Sequence, residues 1–208
     1  MATGPTLLHP DDPECTAILD SIVNLHASCI LNDHTVATFI PPLSQEQMHQ
    51  RWMHLLKETT SGLRIIIVYI SNVEDRNESL HDVVLPFGAI EWPQISPGKE
   101  VSGTASLSLP KTETGPFRGL VQNLFVSPHY RRRGIASKLL AELERQALRH
   151  DRWNLMLDTT QGTDAEILYT NLRWERLGVV KNYGLSPQDG RFLDGVFFWK
   201  DIRSAEHK

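Results

Sequence analysis

Val121 to Leu140 limits the possible folds of this chain more than any other stretch. Leu120 to Val126 reads as a strand, Ser127-Pro128 ends it, and Gly134 to His150 reads as a helix. The helix has an apolar stripe of Ile135, Leu139, Leu140, Leu143 and Ala147, with Lys138, Glu142, Arg145 and Arg149 on the outer face. Arg131, Arg132 and Arg133 stand between the two elements. The first amides of a helix lack partners inside it, and the helix dipole adds positive charge there. Gly134 lets an anion approach the backbone, Ala136 keeps the next approach point small, and Ile135 and Ser137 complete the first turn. Guanidinium groups match phosphate geometry. The segment is therefore a candidate anion site. The plain alternative is a solvated basic turn before an ordinary helix. The Gly-Lys-Ser/Thr ending of a nucleotide P-loop is missing, and so is a GxGxxG turn.

The other elements surround this unit. Thr6 to His9 is a short candidate strand. Pro13 to Leu31 reads as a helix with Cys15, Ile18, Leu19, Ile22, His26 and Cys29 on one face. Asn32 to Leu43 is a connector. A second helix starts at Ser44, where Gln47 suggests a capping box, and buries Met48, Trp52, Leu55 and Leu56 before Gly62 stops it. Arg64 to Ser71 is a dense β-branched run and predicts a buried strand. Asn72 to Asp82 reads as a surface loop. Val83 to Trp92 and Val101 to Leu109 read as strands joined by the turn residues Pro93 to Lys99. Lys111 to Gly119 is a loop. Asn154 to Thr159 is a strand, and Thr163 to Leu172 is a short helix with Thr163 and Glu166 as a second capping box. Glu175 to Tyr183 and Gly195 to Ile202 form a closing strand pair. This order predicts a mixed-sheet α/β layout.

Composition narrows the function classes. A chain of 208 residues, 40% hydrophobic, fits one domain with a full core. The net charge of −4 calls for neither nucleic acid nor an anionic membrane. Cys15 and Cys29 form no disulfide framework and no metal ladder, and both read as buried free thiols. Neither has a basic helix-start setting, so an acyl-cysteine step is not expected. The histidines show no metal spacing, and His26 reads as a satisfied core residue. Asp11, Asp12, Glu14 and Asp20 break any signal-peptide core, and no apolar run looks long enough to span a bilayer. The expectation is a cytoplasmic protein without metal.

Leu124-Phe125-Val126-Ser127-Pro128 through Leu140 resembles motif A of the GNAT superfamily, whose pattern is Gln/Arg-x-x-Gly-x-Gly/Ala. The resemblance runs from about Ala17 to Ile202. It implies about seven mostly antiparallel strands with a central splayed parallel pair, and about four helices, in one domain over residues 1–208. It also implies acetyl-CoA as co-substrate. Leu124, Phe125 and Val126 would bind the pantetheine arm. Arg131, Arg132, Arg133, Gly134, Ile135, Ala136 and Ser137 would bind the pyrophosphate. Leu157-Asp158-Thr159, Ala165-Glu166, Tyr169, Gly178, Tyr183, Pro187 to Arg191, and Thr35 to Phe39 resemble the tabtoxin-resistance branch. Members of that branch acetylate a β-lactam dipeptide-type toxin. Relative to it, residues 72–99 look like a surface insertion, and Leu120 replaces a second acidic candidate.

Direct acetyl transfer needs a neutral amine, a polarised thioester carbonyl and an acid for the thiolate. An alkyl ammonium has a pKa of about 10, so a base or a water chain must remove a proton. Asp158 is the candidate base; its other reading is a structural hydrogen bond to the turn at Thr160 to Gly162. Tyr169 is the candidate acid at the CoA sulfur; its other reading is a core aromatic beside Leu168 and Leu172. A backbone amide at Phe125 or Val126 would hold the oxyanion. Asp33, Glu91, Tyr183 and Asp189 are acidic or phenolic residues near the expected acceptor side.

Three functions fit. The first is acetylation of a small-molecule amine, with toxin or antibiotic detoxification as one form, in a monomer or homodimer. The second is a protein or peptide N-acetyltransferase. The third is a non-catalytic acyl-CoA-binding domain.

Overall fold

The computed structural model describes residues 2–33, 36, 38–77, 79, 83–89 and 91–203. Thr35 and Ala37 of the branch-like segment, parts of the 72–82 loop, and Ile90 lie outside them. The elements run β1 (Gly4–Leu7), α1 (Cys15–Asp33), α2 (Gln45–Thr60), β2 (Arg64–Asn72), β3 (Lys99–Ser108), β4 (Arg118–Val126), α3 (Ile135–Arg149), β5 (Asn154–Thr160), α4 (Asp164–Asn171), β6 (Glu175–Leu185) and β7 (Phe192–Asp201). They build one seven-stranded sheet in the order β1-β2-β3-β4-β5-β7-β6. Only the β4–β5 pair is parallel. The expected mixed sheet and four helices are therefore present.

Each face of the sheet carries a core. One core packs Ile66, Val68, Ile70, Val101 and Phe125 under α1 and α2. The other packs Ile67, Leu107, Val121, Leu157 and Phe198 under α3, with Tyr169 of α4. The alternation of Ile65 and Ile67 with Ile66 and Val68 feeds both cores, which explains the continuous apolar run in β2.

α1 is buried nearly all round, not on one stripe. By length and composition it would cross a bilayer, contrary to the expectation that no segment could. In the fold 72% of that window is buried against the sheet and α2. α2 has the expected buried residues Met48, Trp52, Leu55 and Leu56. Ser44 Oγ accepts the Gln47 amide at 3.3 Å, one half of the expected box.

Two local readings are corrected. Val83 to Trp92 is not a strand in its described residues. Pro86–Gly88 makes a short 3-10 turn, and Phe87 takes a left-handed φ of 59°. Pro86 and Gly88 interrupt the ladder, and Asn32 of α1 captures Val84 on both backbone groups. The second capping box is also absent. Thr163 Oγ1 donates to the Thr160 carbonyl, while the Glu166 carboxylate accepts the Gly162 amide and pairs with Arg176.

Candidate active site

The parallel pair holds for only three register positions: Arg118 with Asn154, Gly119 with Leu155, and Leu120 with Met156. Beyond these the strands diverge. β4 stays on β3, and β5 stays on β7. From Val121 onward, β4 therefore has an edge without a β5 partner.

A bulge tunes that edge. The register with β3 shifts between Thr104 and Ser106, so Asn123 and Leu124 together oppose Ala105. Asn123 takes a left-handed φ of 55°, which asparagine tolerates better than most residues. The extra residue reverses side-chain alternation. Val121 lies in the α3-side core, yet Phe125 lies in the α1-side core and Leu124 and Val126 return to the α3 side. An asparagine inside an apolar strand was the signal for this bulge in the sequence.

The ladder also sorts the backbone groups. The Ser127 amide donates to the Ser102 carbonyl at 2.9 Å. Polar groups alternate between strand edges, so Phe125 turns its amide toward Thr104 of β3 and Val126 turns its amide toward the opening. Phe125 packs flat on His26, with ring centroids 4.5 Å apart, and Trp52 Nε1 donates to His26 Nδ1 at 3.2 Å. Cys29 Sγ donates to the Val126 carbonyl at 3.7 Å. Burial pushes the Cys29 thiol up to about 12, so it stays protonated and inert. Both cysteines are buried and free.

The turn before α3 carries alternating backbone signs: Arg131 has φ −65°, Arg132 has φ 63° and Gly134 has φ 74°. Gly134 is the N-cap of α3, and a Cβ there would meet nothing within 4 Å, so the space before the helix is open. Ile135 is buried and Ala136 and Ser137 are half-buried. The three arginines do not act alike. Arg131 forks onto the Asp33 carboxylate at the C-terminal end of α1. Arg133 lies over the Tyr130 ring, 5.7 Å from its centroid. Arg132 is exposed. The Tyr130 hydroxyl donates to the Asn72 carbonyl at 2.8 Å, fixing the turn against β2.

At the far side of the opening, Leu157 and Asp158 of β5 point to opposite faces. Leu157 is in the α3-side core beside Phe198, whereas Asp158 pairs with Phe197 on the α1-side face. Among the described residues Asp158 makes no hydrogen bond and no ion pair, so the structural bond to the Thr160–Gly162 turn is not formed. Its surroundings desolvate the carboxyl and raise its pKa from the ordinary carboxylate value. Tyr169 is only 5% exposed, with its ring 5.6 Å from Phe198 and 6.1 Å from Trp174. Its hydroxyl has no hydrogen-bond partner among the described residues, yet it is not one of the sealed, unsatisfied polar atoms. The ring is therefore core, and the hydroxyl oxygen keeps a small share of accessible surface. Burial, and then the charge of Asp158, raise its pKa. The same two causes raise Tyr183.

Of the remaining acceptor-side residues, Asp189 turns back onto Arg191. Glu91 lines a cavity of about 440 Å³ with Arg76, Trp92, Gln94 and His129. A second cavity of about 310 Å³ lies past the end of β5, lined by Thr160, Gln161, Phe192 and Asp194. Among the described residues no group of three or more His, Cys, Asp or Glu is arranged to hold a metal.

The central parallel pair parts beside the open N-terminus of α3, and comparison with known proteins gives the family of this fold. Residues 51–171 match the profile of the acetyltransferase (GNAT) family. The chain belongs to this family of acetyl-CoA-dependent acetyltransferases. Its fold is similar to that of an N-acetyltransferase from Staphylococcus aureus Mu50, with TM-score 0.65 and 17% identity over 97% of this chain and 100% of that one. A ribosomal-protein-alanine N-acetyltransferase from Brucella melitensis aligns at TM-score 0.63 and 22% identity, over 94% and 99% of the two chains. A phosphinothricin acetyltransferase from Sinorhizobium meliloti, solved with acetyl-CoA, aligns at TM-score 0.63 and 23% identity, over 95% and 88%.

Proposed function

We propose that this protein transfers the acetyl group of acetyl-CoA directly to the amine of a small molecule. The observation that carries this reading is that the Asp158 carboxylate, on β5 beyond its last pair with β4, makes no hydrogen bond or ion pair among the described residues, while its charge reaches Tyr169. Val121 to Val126 offers its free edge to the pantetheine arm, and the turn at Arg131 to Ser137 receives the pyrophosphate. Asp158 takes one proton from the acceptor's ammonium and passes it to solvent. The neutral nitrogen attacks the thioester carbon. The Val126 amide, turned to the opening, steadies the carbonyl oxygen as it gains charge. The C–S bond breaks, Tyr169 protonates the departing sulfur, and the second proton lost by the nitrogen restores the phenol. The products are an amide, CoA thiol and one released proton.

The tabtoxin-resistance-like residues over Leu120 to Phe198 support a toxin or antibiotic as acceptor, in a cytoplasmic setting. The fold likeness to a phosphinothricin acetyltransferase supports a compact amino acid analogue among the first acceptors to try. The test is thiol release from acetyl-CoA with phosphinothricin, β-lactam dipeptides, simple amines and peptides. Turnover with small amines supports the reading. Turnover confined to peptides, or acetyl-CoA binding with no turnover on any acceptor, replaces it.

A further inference from the structure

β6 and β7 carry a second irregularity, unrelated to the CoA side. Between the pairs Val180–Gly195 and Gly184–Leu193, β6 has three residues, Lys181, Asn182 and Tyr183, where β7 has only Asp194. Asn182 takes a left-handed φ of 54°. Asp194 braces the bulge: its carboxylate accepts the Asn182 amide at 3.0 Å and the Lys181 ammonium at 2.6 Å. The bulge turns the Tyr183 ring down onto Gly195. A Cβ at Gly195 would lie 2.4 Å from Tyr183 Cδ1, so only glycine leaves room for the ring. The ring also stands edge-on to Phe197, with centroids 5.0 Å apart.

These features converge on Asp158. Phe197 is its register partner across β5 and β7. Tyr183 is 49% exposed, so the ring is held on one side and open on the other. Val36, from the α1–α2 connector, closes against the next residue of β6; a Cβ at Gly184 would lie 2.9 Å from its Cγ1. A carboxylate with no partner among the described residues, in register with Phe197 and near enough to Tyr183 for its charge to act there, suits one chemical group, a compact ammonium. The carboxylate supplies charge and the ring faces supply the quadrupole.

We propose that Asp158, Phe197 and Tyr183 form a subsite for the acceptor's ammonium, with Tyr183 setting specificity and Gly195 making room for it. The proposal rests on the acetyl-transfer reading and names its acceptor class: primary amines that arrive protonated. Tyr183 holds the cation while Asp158 removes its proton.

The test uses the full-length protein with phosphinothricin, benzylamine and methylamine, each beside its hydroxyl analogue. Acetyl-CoA affinity is measured separately by calorimetry. Tyr183→Ala is expected to raise the amine KM about tenfold, more than it lowers kcat, with acetyl-CoA affinity unchanged. Tyr183→Phe keeps the ring and is expected to restore most of that loss. Gly195→Ala displaces the ring and is expected to act like Tyr183→Ala. An unchanged amine KM in Tyr183→Ala overturns the subsite, as does equal use of amines and hydroxyl analogues. Tyr183→Phe as impaired as Tyr183→Ala overturns the role of the ring face. Turnover of these amines with their KM unchanged in Tyr183→Ala overturns the subsite alone, whereas acetyl-CoA binding with no turnover of any amine, or no acetyl-CoA binding, overturns the reading beneath it.

Discussion

The Asp158 carboxylate acts on the buried Tyr169 phenol: burial first, and then that charge, raise the pKa of Tyr169. Tyr169 therefore stays protonated through the working pH range, as an acid must. Tyr169→Phe is expected to lower kcat by about a hundredfold or more, with acetyl-CoA affinity within about twofold of the wild type. Single-turnover thiol release, beside calorimetric binding, separates the two. An unchanged rate constant removes the acid role.

Asp158 makes a pH prediction with a defined sign. Partial desolvation raises the pKa of this exposed carboxyl in the folded chain. The protonated carboxyl thus favours the folded state below the unfolded pKa, and that contribution is lost as pH rises through the folded pKa. Turnover is expected to fall on the acid side at a pH above the ordinary carboxylate range. In Asp158→Asn that limb disappears with most of the activity, and the variant melts higher than the wild type near neutral pH. Thermal unfolding and rate profiles between about pH 4 and pH 8 check both. A lower melting temperature in Asp158→Asn would show the carboxylate to be structural.

Gly134→Glu places a carboxylate in the open space before α3, with a side chain in a left-handed conformation. Acetyl-CoA affinity is expected to vanish in calorimetry while the circular dichroism of the sheet persists. The arginines should rank unequally. Arg131 is engaged by Asp33, so Arg132→Gln and Arg133→Gln are expected to weaken acetyl-CoA more than Arg131→Gln. The reverse order would mean that acetyl-CoA draws Arg131 off Asp33.

Arg76, from the β2–β3 connection, forks onto Glu100, which is 1% exposed at the start of β3. Arg76→Met strands a buried carboxylate, at a cost of about 3 kcal/mol or more. For a chain of this size that is a fall of roughly 6–12 °C in Tm. The double variant Arg76→Met with Glu100→Leu should recover most of the loss, because an apolar pair carries no stranded charge. Differential scanning calorimetry measures both, and a double variant as unstable as the single one would locate the cost elsewhere.

The sequence exposed the parts of the fold that follow periodic rules. The stripes of α2 and α3 and the β-branched run of β2 were legible because burial repeats at a fixed interval. What escaped lies where one residue departs from its period. Asn123 inverts the faces of β4, and the three-residue bulge at Lys181 to Tyr183 turns a ring toward β5. Val83 to Trp92 had strand composition, but Asn32 and Pro86 decide its path through contacts far apart in sequence. The site divides the same way. The turn at Gly134 was readable because the signals of a helix start are local. The tie between Arg131 and Asp33 spans 98 residues, and no local pattern encodes it.

The divergence of β4 from β5 leaves a backbone edge that β5 does not cover. On the reading proposed above, acetyl-CoA supplies the missing neighbour, and only to the folded form. At a hundredfold excess over its Kd, such a ligand adds about 2.7 kcal/mol to folding. Resistance to heat and to proteases should therefore follow the acetyl-CoA level around the protein, so a cell short of acetyl groups would hold less of this enzyme before any change in its synthesis.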